Sequence, residues 1–201
     1  GIPAAPTLLK SRPIGAGNAN AVLLKLNRIR HFRFVRDAIP FRDKADRLVW
    51  RGAAHKRHRR RLVEQLHDVP GCDVGQTNKK AEDVPWQKSY LPVAKQLRNK
   101  FILCIEGNDV ASNLKWAMSS NSLCFMARPR FETWFMEGTL RAGVHYVELQ
   151  DDHADVPEKM EHYLANPGEA EAIIRNAHSH VDRFRDPRRE NLISLLVLRK
   201  Y

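Results

Sequence analysis

The stretch that most constrains the fold lies between residues 100 and 149, where apolar runs alternate with polar turns. Residues 101–105 form an unbroken apolar run, which is typical of a strand covered on both faces. Residues 106–109 interrupt it with turn-forming and helix-capping side chains. The pattern then predicts a helix through residues 110–118, a strand at 122–126, a short helix at 131–137 and a strand at 145–149.

Strand, helix and strand at this spacing form a βαβ unit, which predicts a parallel sheet with a right-handed crossover. The predicted fold class is therefore α/β, with a Rossmann-like parallel sheet flanked by helices. Ligands of such sheets bind beyond the carboxyl ends of the strands. We therefore expect the functional rim at residues 106–112 and 128–132.

Length and composition indicate a globular chain with a polyanionic partner. Of the 201 residues, 43% are hydrophobic and 28% charged, and no apolar run approaches the roughly 18 residues that a membrane span requires. We predict a lead-in or linker segment at residues 1–45 and a Rossmann-like domain at 46–201. The net charge of +11 favours a nucleotide, a nucleic acid, a phosphorylated glycan or an anionic membrane surface as partner. The 3 cysteines indicate reduced thiols of a cytoplasmic protein.

Residues 21–34 predict a basic amphipathic helix. Its apolar positions are Val22, Leu23, Leu26, Ile29 and Phe32, and its basic positions are Lys25, Arg28, Arg30, His31 and Arg33. Such a helix is either a solvated charged face over a packed stripe or a phosphate- or membrane-facing surface.

A second basic segment follows a predicted strand at residues 47–50. Gly52 comes next, where a missing Cβ allows the backbone to approach a ligand closely. The basic run at residues 55–61 then opens a helix, so amide donors and the helix dipole add to the guanidinium charge. This pattern fits an anion site, and a nonspecific nucleic-acid patch is the alternative.

Three further helices are expected near the carboxyl terminus. Asp155, with Glu158 three residues later, suggests a capping box. Asn166-Pro167 and Asp186-Pro187 each place a capping residue before a proline in the first helical turn.

Several rim residues are candidates for ligand contacts. Gly107 allows the turn after the first strand, so free amides could face a pyrophosphate, although the same residues also suit a plain helix cap. Lys115 could reach back to a phosphate or stay solvated. Glu132 could accept both hydroxyls of a ribose or stabilise a helix dipole. None of the 9 histidines falls in a metal-binding spacing, so we expect no metal.

Taken together and in order, five segments resemble glycosyltransferase family 90, most closely its bacterial lipopolysaccharide-modifying branch. They are residues 50–52 (Trp-Arg-Gly), 100–116, 120–123, 131–135 and 144–147. The family also includes the capsule-associated proteins of fungi and the Rumi-type protein O-glucosyltransferases. The resemblance runs from about residue 6 to the end of the chain.

This resemblance implies the carboxyl-terminal, donor-binding domain of a GT-B enzyme. It implies inverting transfer of a hexose from a nucleoside diphosphate sugar, UDP-linked, to a lipopolysaccharide-type glycan, without a metal cofactor. Gly52 and Arg59 would line the diphosphate, and Glu132 would hold the ribose. The donor loop would contain Gly107, Asn108, Asp109 and Ser112, and Lys115 is added as a candidate from the same helix. The family's catalytic aspartate belongs to the amino-terminal half, and no residue here is matched to it.

The alternative from another class is a basic α/β nucleic-acid-binding protein without catalytic activity. Such a protein interleaves aromatic and basic residues on one face. Here the basic run at 55–61 contains no Phe, Trp or Tyr, and aromatic residues cluster instead at 131–135. We therefore predict no nucleic acid as partner and a cytoplasmic location, with peripheral contact to an anionic membrane surface as a further expectation.

Overall fold

The computed structural model describes residues 3–201, except for the side chains of Arg30 and His31. The strands are β1 (Thr7–Leu9), β2 (Ser11–Pro13), β3 (Ala21–Leu23), β4 (Ala45–Gly52), β5 (Cys72–Gln76), β6 (Asn99–Leu103), β7 (Leu123–Ala127), β8 (Phe131–Thr133) and β9 (Val147–Leu149). The helices are α1 (Arg28–His31), α2 (Arg57–Leu66), α3 (Val93–Gln96), α4 (Leu114–Met118), α5 (Val156–Ala165), α6 (Pro167–Asp182) and α7 (Pro187–Lys200).

The central element is a parallel five-stranded sheet in the order β5-β4-β6-β7-β9. Its strands are covered on both faces because successive side chains of a strand point in opposite directions. Phe101 and Leu103 of β6 pack into one core with α2, α5 and α6, whereas Ile102 packs into the other core with α4. The predicted α/β class with a Rossmann-like parallel sheet is thereby confirmed.

The strand order contains a switch point between β4 and β6. From β4 the chain passes through α2 to β5 on one side, and then crosses back to place β6 on the other side of β4. At such a point the connections leave in opposite directions, so a crevice opens at the carboxyl ends of the two strands. The turns after Gly52 and Leu103 border this crevice.

One strand pair joins the lead-in segment to the rest of the chain. β2 pairs with β8 in antiparallel fashion, whereas β1 pairs in parallel with β3 inside the lead-in segment. The predicted basic helix at 21–34 is therefore wrong: residues 21–23 are a buried strand, and only the single turn α1 is helical. Asn27, with a φ of 53°, breaks the pattern before α1. The side chains of Arg30 and His31, which that prediction counted, lie outside the described residues.

The predicted helix at 131–137 is also wrong. Its first residues form β8, which β2 holds by backbone pairing, and a 3-10 turn follows at Glu137–Thr139. The helix predicted from residue 110 begins only at Leu114, and Val110 and Ala111 are buried in the preceding loop.

The three carboxyl-terminal helices form as predicted. The Asp186 carboxylate accepts hydrogen bonds from the amides of Arg188 (2.9 Å) and Arg189 (3.2 Å) and so caps α7. The predicted capping box of α5 does not form, because the Asp155 side chain instead accepts from the amide of Gln150. None of the helices in the described part of the chain is long and apolar enough to cross a membrane.

Candidate functional site

The crevice at the switch point contains a cavity of about 390 Å³. Residues from the turn after β4 and from the loop after β6 line it together. Of the predicted site residues it includes Arg59, Gly107, Asn108, Asp109 and Ser112, and its other lining residues include Lys10, His55 and Lys56. The two segments singled out in the sequence thus face one concavity.

Arg59 joins the two sides of this crevice. Its Nε donates to the carbonyl of Glu106 (3.0 Å) and its Nη2 to that of Ile105 (2.7 Å), both after β6. Its Nη1 donates to the carbonyl of Ala53, after β4 (3.2 Å). Within the fully described range 55–61, Arg59 is half-buried and its neighbours are exposed. The guanidinium is therefore held in place before any ligand arrives.

Two glycines of the site are required by packing. A Cβ on Gly107 would lie 3.0 Å from Nη2 of Arg59, so a side chain there would push the guanidinium aside. A Cβ on Gly52 would lie 2.6 Å from the Trp50 ring. The absence of a Cβ at Gly52 therefore makes room for Trp50, and Gly52 itself does not line the cavity.

The loop from Gly107 to Ser112 is fixed by the lead-in segment. The Asp109 carboxylate pairs with Lys10 Nζ (2.6 Å) and accepts from the Ser11 hydroxyl (2.7 Å). Since α4 begins only at Leu114, this loop borders the cavity in place of the predicted helix terminus.

Besides Gly52, two further predicted site residues lie outside the lining of the switch-point cavity. The Lys115 ammonium is fully buried and pairs with the Glu137 carboxylate, so the solvated alternative for this lysine is wrong. Glu132 lies on β8, where Arg12 pairs with its carboxylate at 2.8 Å. Glu132 lines neither the switch-point cavity nor the smaller one beside it.

The smaller cavity, of about 170 Å³, lies at the carboxyl ends of β6 and β7. Its apolar wall includes Val110, Ala111, Leu114 and Met126, and its polar edge includes His58, Arg128, Arg130, Asp151 and His153. An apolar interior with a polar edge suits a flat ring that carries hydrogen-bonding groups at its margin.

Glu106 lines the smaller cavity and joins the loops that surround it. Its backbone carbonyl accepts from Arg59, and its carboxylate accepts from the amides of Arg130 (3.0 Å) and Phe131 (3.2 Å). The loop after β7 is thereby tied to the end of β6. Val110 lines both cavities, so a ligand that occupies both would pass along Val110.

Sequence reasoning missed Glu137 and His153. Glu137 accepts from the Thr133 amide (2.6 Å) and hydroxyl (3.0 Å) besides pairing with Lys115, and it lines the smaller cavity. His153 has a left-handed φ of 61°, and burial lowers its pKa. The position of His153, a few residues after β9, could have identified it. Ligands bind beyond the carboxyl ends of all strands of a parallel sheet, and the same rule identified residues 106–112 after β6.

Fold and site together define a Rossmann-like α/β protein with a cationic crevice at the switch point of its sheet. The sequence model described as Glycosyl transferase family 90 matches residues 24–186. The chain belongs to this family, as the resemblance of its motifs implied.

A curated relative shows how much of such a protein the chain spans. Over 200 residues the chain is 51% identical to "O-glucosyltransferase LpsA" from Dichelobacter nodosus. The match covers 100% of this chain and 63% of that protein, so the chain spans less than two thirds of the relative's length.

Proposed function

We propose that this chain is the donor-binding part of a glycosyltransferase with GT-B architecture. In this proposal a hexose moves from a nucleoside diphosphate sugar, UDP-linked, to a lipopolysaccharide-type glycan. Membership of family 90 and the name of the relative, an O-glucosyltransferase, support this function and suggest glucose as the hexose.

The observation that carries the proposal is the position of Arg59. Its guanidinium is held between the ends of β4 and β6 and borders a cavity that also has Lys56, His55 and the loop from Gly107 along its edge. A fixed guanidinium binds phosphate oxygens with little loss of side-chain entropy. The cavity therefore suits a compact, doubly charged group such as a diphosphate.

The nucleoside would then extend into the smaller cavity past Val110, which lines both cavities. The apolar wall at Leu114 and Met126 would cover the face of a base, and the polar edge at Arg128 and Asp151 would meet its substituents. The ribose contact of Glu132 stays a prediction from the resemblance, because Arg12 pairs with its carboxylate. Lys115 is held by Glu137, so we assign it to the structure around the cavity.

The reaction we propose is a single inverting displacement. A general base takes the proton of the acceptor hydroxyl, whose oxygen attacks the anomeric carbon while the bond to the nucleoside diphosphate breaks. Arg59 and Lys56, together with the loop amides after Gly107, would stabilise the charge of the departing diphosphate. We expect no metal cofactor. None of the residues described is assigned as the base.

The test of donor binding is a thermal-shift measurement with UDP-glucose, UDP and other nucleoside diphosphates. A nucleotide present at 100 times its Kd stabilises by about 2.7 kcal/mol, which is a Tm increase of about 5–11 °C for a chain of this size. Arg59→Ala removes charge-assisted hydrogen bonds of about 1.5–3 kcal/mol, so the Kd should rise roughly 10- to 150-fold.

Arg61→Ala is the matched control, because Arg61 is an exposed residue of the same helix α2. It makes the same change in net charge and should leave the Kd unchanged. Equal weakening by the two variants would show that general charge, rather than the fixed guanidinium, attracts the nucleotide. No shift with any nucleotide, together with a salt-dependent affinity for DNA, would favour the nucleic-acid-binding alternative.

The acceptor and the compartment complete the proposal. We propose a lipopolysaccharide-type glycan as acceptor, which the name LpsA of the relative supports. We also propose a cytoplasmic location with peripheral contact to an anionic membrane surface.

A further inference from the structure

A lysine of the lead-in segment lies on the switch-point cavity. Lys10 lines this cavity together with Arg59 and the loop from Gly107 to Ser112. It lies outside residues 24–186, the range that the family 90 sequence model matches. The role of Lys10 therefore has to be derived from its surroundings in the structure.

The backbone of Lys10 is fixed on both sides by paired strands. Lys10 is the single residue that connects β1 with β2. β1 pairs with β3, whereas β2 pairs with β8, which is far away in the sequence. The amide of Leu24 also donates to the carbonyl of Leu9 (3.0 Å), directly before Lys10. Backbone hydrogen bonds thus define the point from which the lysine side chain starts.

The Asp109 carboxylate holds the other end of the Lys10 side chain. It lies 2.6 Å from Nζ of Lys10, and the hydroxyl of the neighbouring Ser11 donates to it as well (2.7 Å). The two side chains are 31% and 20% exposed, so the pair is partly shielded from solvent. An ammonium has three N–H donors. In the described part of the chain this ammonium meets one carboxylate, so donors remain for a ligand.

The carboxylate of Asp109 opposes the binding of a diphosphate. Asp109 lines the same cavity, and like charges at short distance in a partly desolvated site repel each other. Lys10 offsets this repulsion and adds a further anchored cation to the cavity that Arg59 lines. Lys56 lines the cavity too, but it is exposed, so ordering its side chain costs conformational entropy that the paired Lys10 has already lost.

We propose that Lys10 is a diphosphate-binding residue and that Asp109 positions it. The ammonium would keep its contact with Asp109 and donate a further hydrogen bond to a phosphate oxygen. The resemblance places Asp109 in the donor loop, and in this proposal its carboxylate acts on the donor through Lys10. The lead-in segment thereby becomes part of the donor site. This inference rests on the proposed function, since it concerns the same cavity.

The alternative is that the ion pair only ties the lead-in segment to the loop. In that case Lys10 and Asp109 are equally important, because removal of either charge breaks the same pair. If Lys10 binds the diphosphate, the two residues have opposite effects, since the ammonium attracts the phosphates and the carboxylate repels them. The variants Lys10→Met and Asp109→Asn therefore distinguish the two cases.

The test is the Kd of UDP, measured by isothermal titration calorimetry at one ionic strength. If another nucleoside diphosphate gives a larger thermal shift, that nucleotide is used. Lys10→Met should raise the Kd by about tenfold or more, because a charge-assisted hydrogen bond is lost. Asp109→Asn should lower it roughly two- to fivefold, because a repelling charge is removed while the amide oxygen can still accept from Ser11.

The double variant isolates the contact of Lys10 with the nucleotide. Lys10→Met alone removes the ammonium and also takes a cation away from beside Asp109. In the Asp109→Asn background the second effect is absent. The double variant should therefore bind UDP about tenfold or more weakly than Asp109→Asn does.

Lys88→Met is the matched control for the loss of a paired lysine. Lys88 pairs with Asp73 at 3.0 Å, and its side chain is 28% exposed, close to the value for Lys10. Lys88 lines neither cavity at the carboxyl ends of the strands, so its variant should leave the Kd unchanged. Thermal unfolding without nucleotide reports the folding of each variant, and Lys10→Gln is a second, polar replacement that removes the same charge.

Three results would overturn the inference. The first is equal weakening by Lys10→Met and Asp109→Asn, which would show that the pair only ties the loop. The second is a double variant that binds UDP as Asp109→Asn does, because Lys10 would then neutralise Asp109 without contacting the nucleotide. The third is a loss of affinity in Arg59→Ala but not in Lys10→Met. In all three cases the wild-type chain binds the nucleotide and the proposed function stands, whereas a wild-type chain that binds no nucleoside diphosphate would refute both proposals.

Discussion

Replacing Lys115 by methionine should cost the protein a large part of its stability. The side chains of Lys115 and Glu137 are each 1% exposed, and the ammonium and carboxylate pair with each other. Methionine keeps the volume and removes the charge, so the carboxylate stays buried with only the amide and hydroxyl of Thr133 as donors. Removal of one partner of a buried pair costs about 3–5 kcal/mol.

The expected change is measurable by urea unfolding and by calorimetry. For a chain of about 200 residues a loss of 3–5 kcal/mol lowers the Tm by about 6–20 °C. The double variant Lys115→Met with Glu137→Gln should recover most of this loss, because no uncompensated charge remains buried. Lys95→Met is the control for the loss of an exposed lysine, and it should stay within about 0.5 kcal/mol of the wild type.

Two results would refute this reasoning. If Lys115→Met unfolds within about 1 kcal/mol of the wild type, the carboxylate must have access to water or to another cation. If the double variant is less stable than the single one, the charge of Glu137 has a stabilising role that does not depend on Lys115.

Two further predictions concern α6 and α7. Burial lowers the pKa of His180 from 6.5 to about 4, and its Nε2 lies 3.0 Å from the carbonyl oxygen of Phe135. Between pH 6.5 and pH 4 the unfolded chain therefore binds more protons than the native chain, so the free energy of unfolding should decrease as the pH falls through this range. The variant His180→Gln lacks this titrating group and should flatten this part of the Tm-against-pH curve. Asp186→Ala removes the amino-terminal cap of α7 and should cost about 1 kcal/mol in urea unfolding, whereas Asp186→Asn should retain most of it.

The parallel sheet could be predicted because each of its central strands has a recognisable pattern in its own few residues. The central strands are buried on both faces, so they read as continuous apolar runs that are too short for helices. Residues 101–103 and 123–126 of these runs are strands in the structure. The caps at Asn166-Pro167 and Asp186-Pro187 mark the starts of α6 and α7 for the same reason, since capping depends on residues within one turn.

The lead-in strands could not be predicted, because their partners lie far away in the chain. Arg12 of β2 lies opposite Glu132 of β8, 120 residues further on, and neither three-residue strand has an alternating pattern of its own. The spacing of apolar residues at 21–34 matched a helix, but backbone pairing with β1 buries residues 21–23 as a strand. Tertiary contacts therefore overrode the local preference.

The burial of Lys115 could not be predicted from the sequence for a similar reason. A lysine on a short helix is usually solvated, and nothing close to it in sequence marks it as buried. Its partner Glu137 lies 22 residues away in a 3-10 turn that the sequence predicted as part of a helix. Without the position of that turn, the compensating carboxylate could not be assigned.

The two hypotheses for the basic run at 55–61, a nucleic-acid patch and a diphosphate site, place different requirements on individual residues. A nonspecific nucleic-acid patch requires only outward-pointing charge, which the exposed Arg57 and Arg61 supply. A diphosphate site requires one cation at a fixed place in a concave surface. Arg59 meets that requirement because the carbonyls of residues 105 and 106 orient it, and those carbonyls are available only because β6 lies next to β4. The strand order therefore favours the diphosphate site over the nucleic-acid patch, and this information cannot be obtained from residues 55–61 alone.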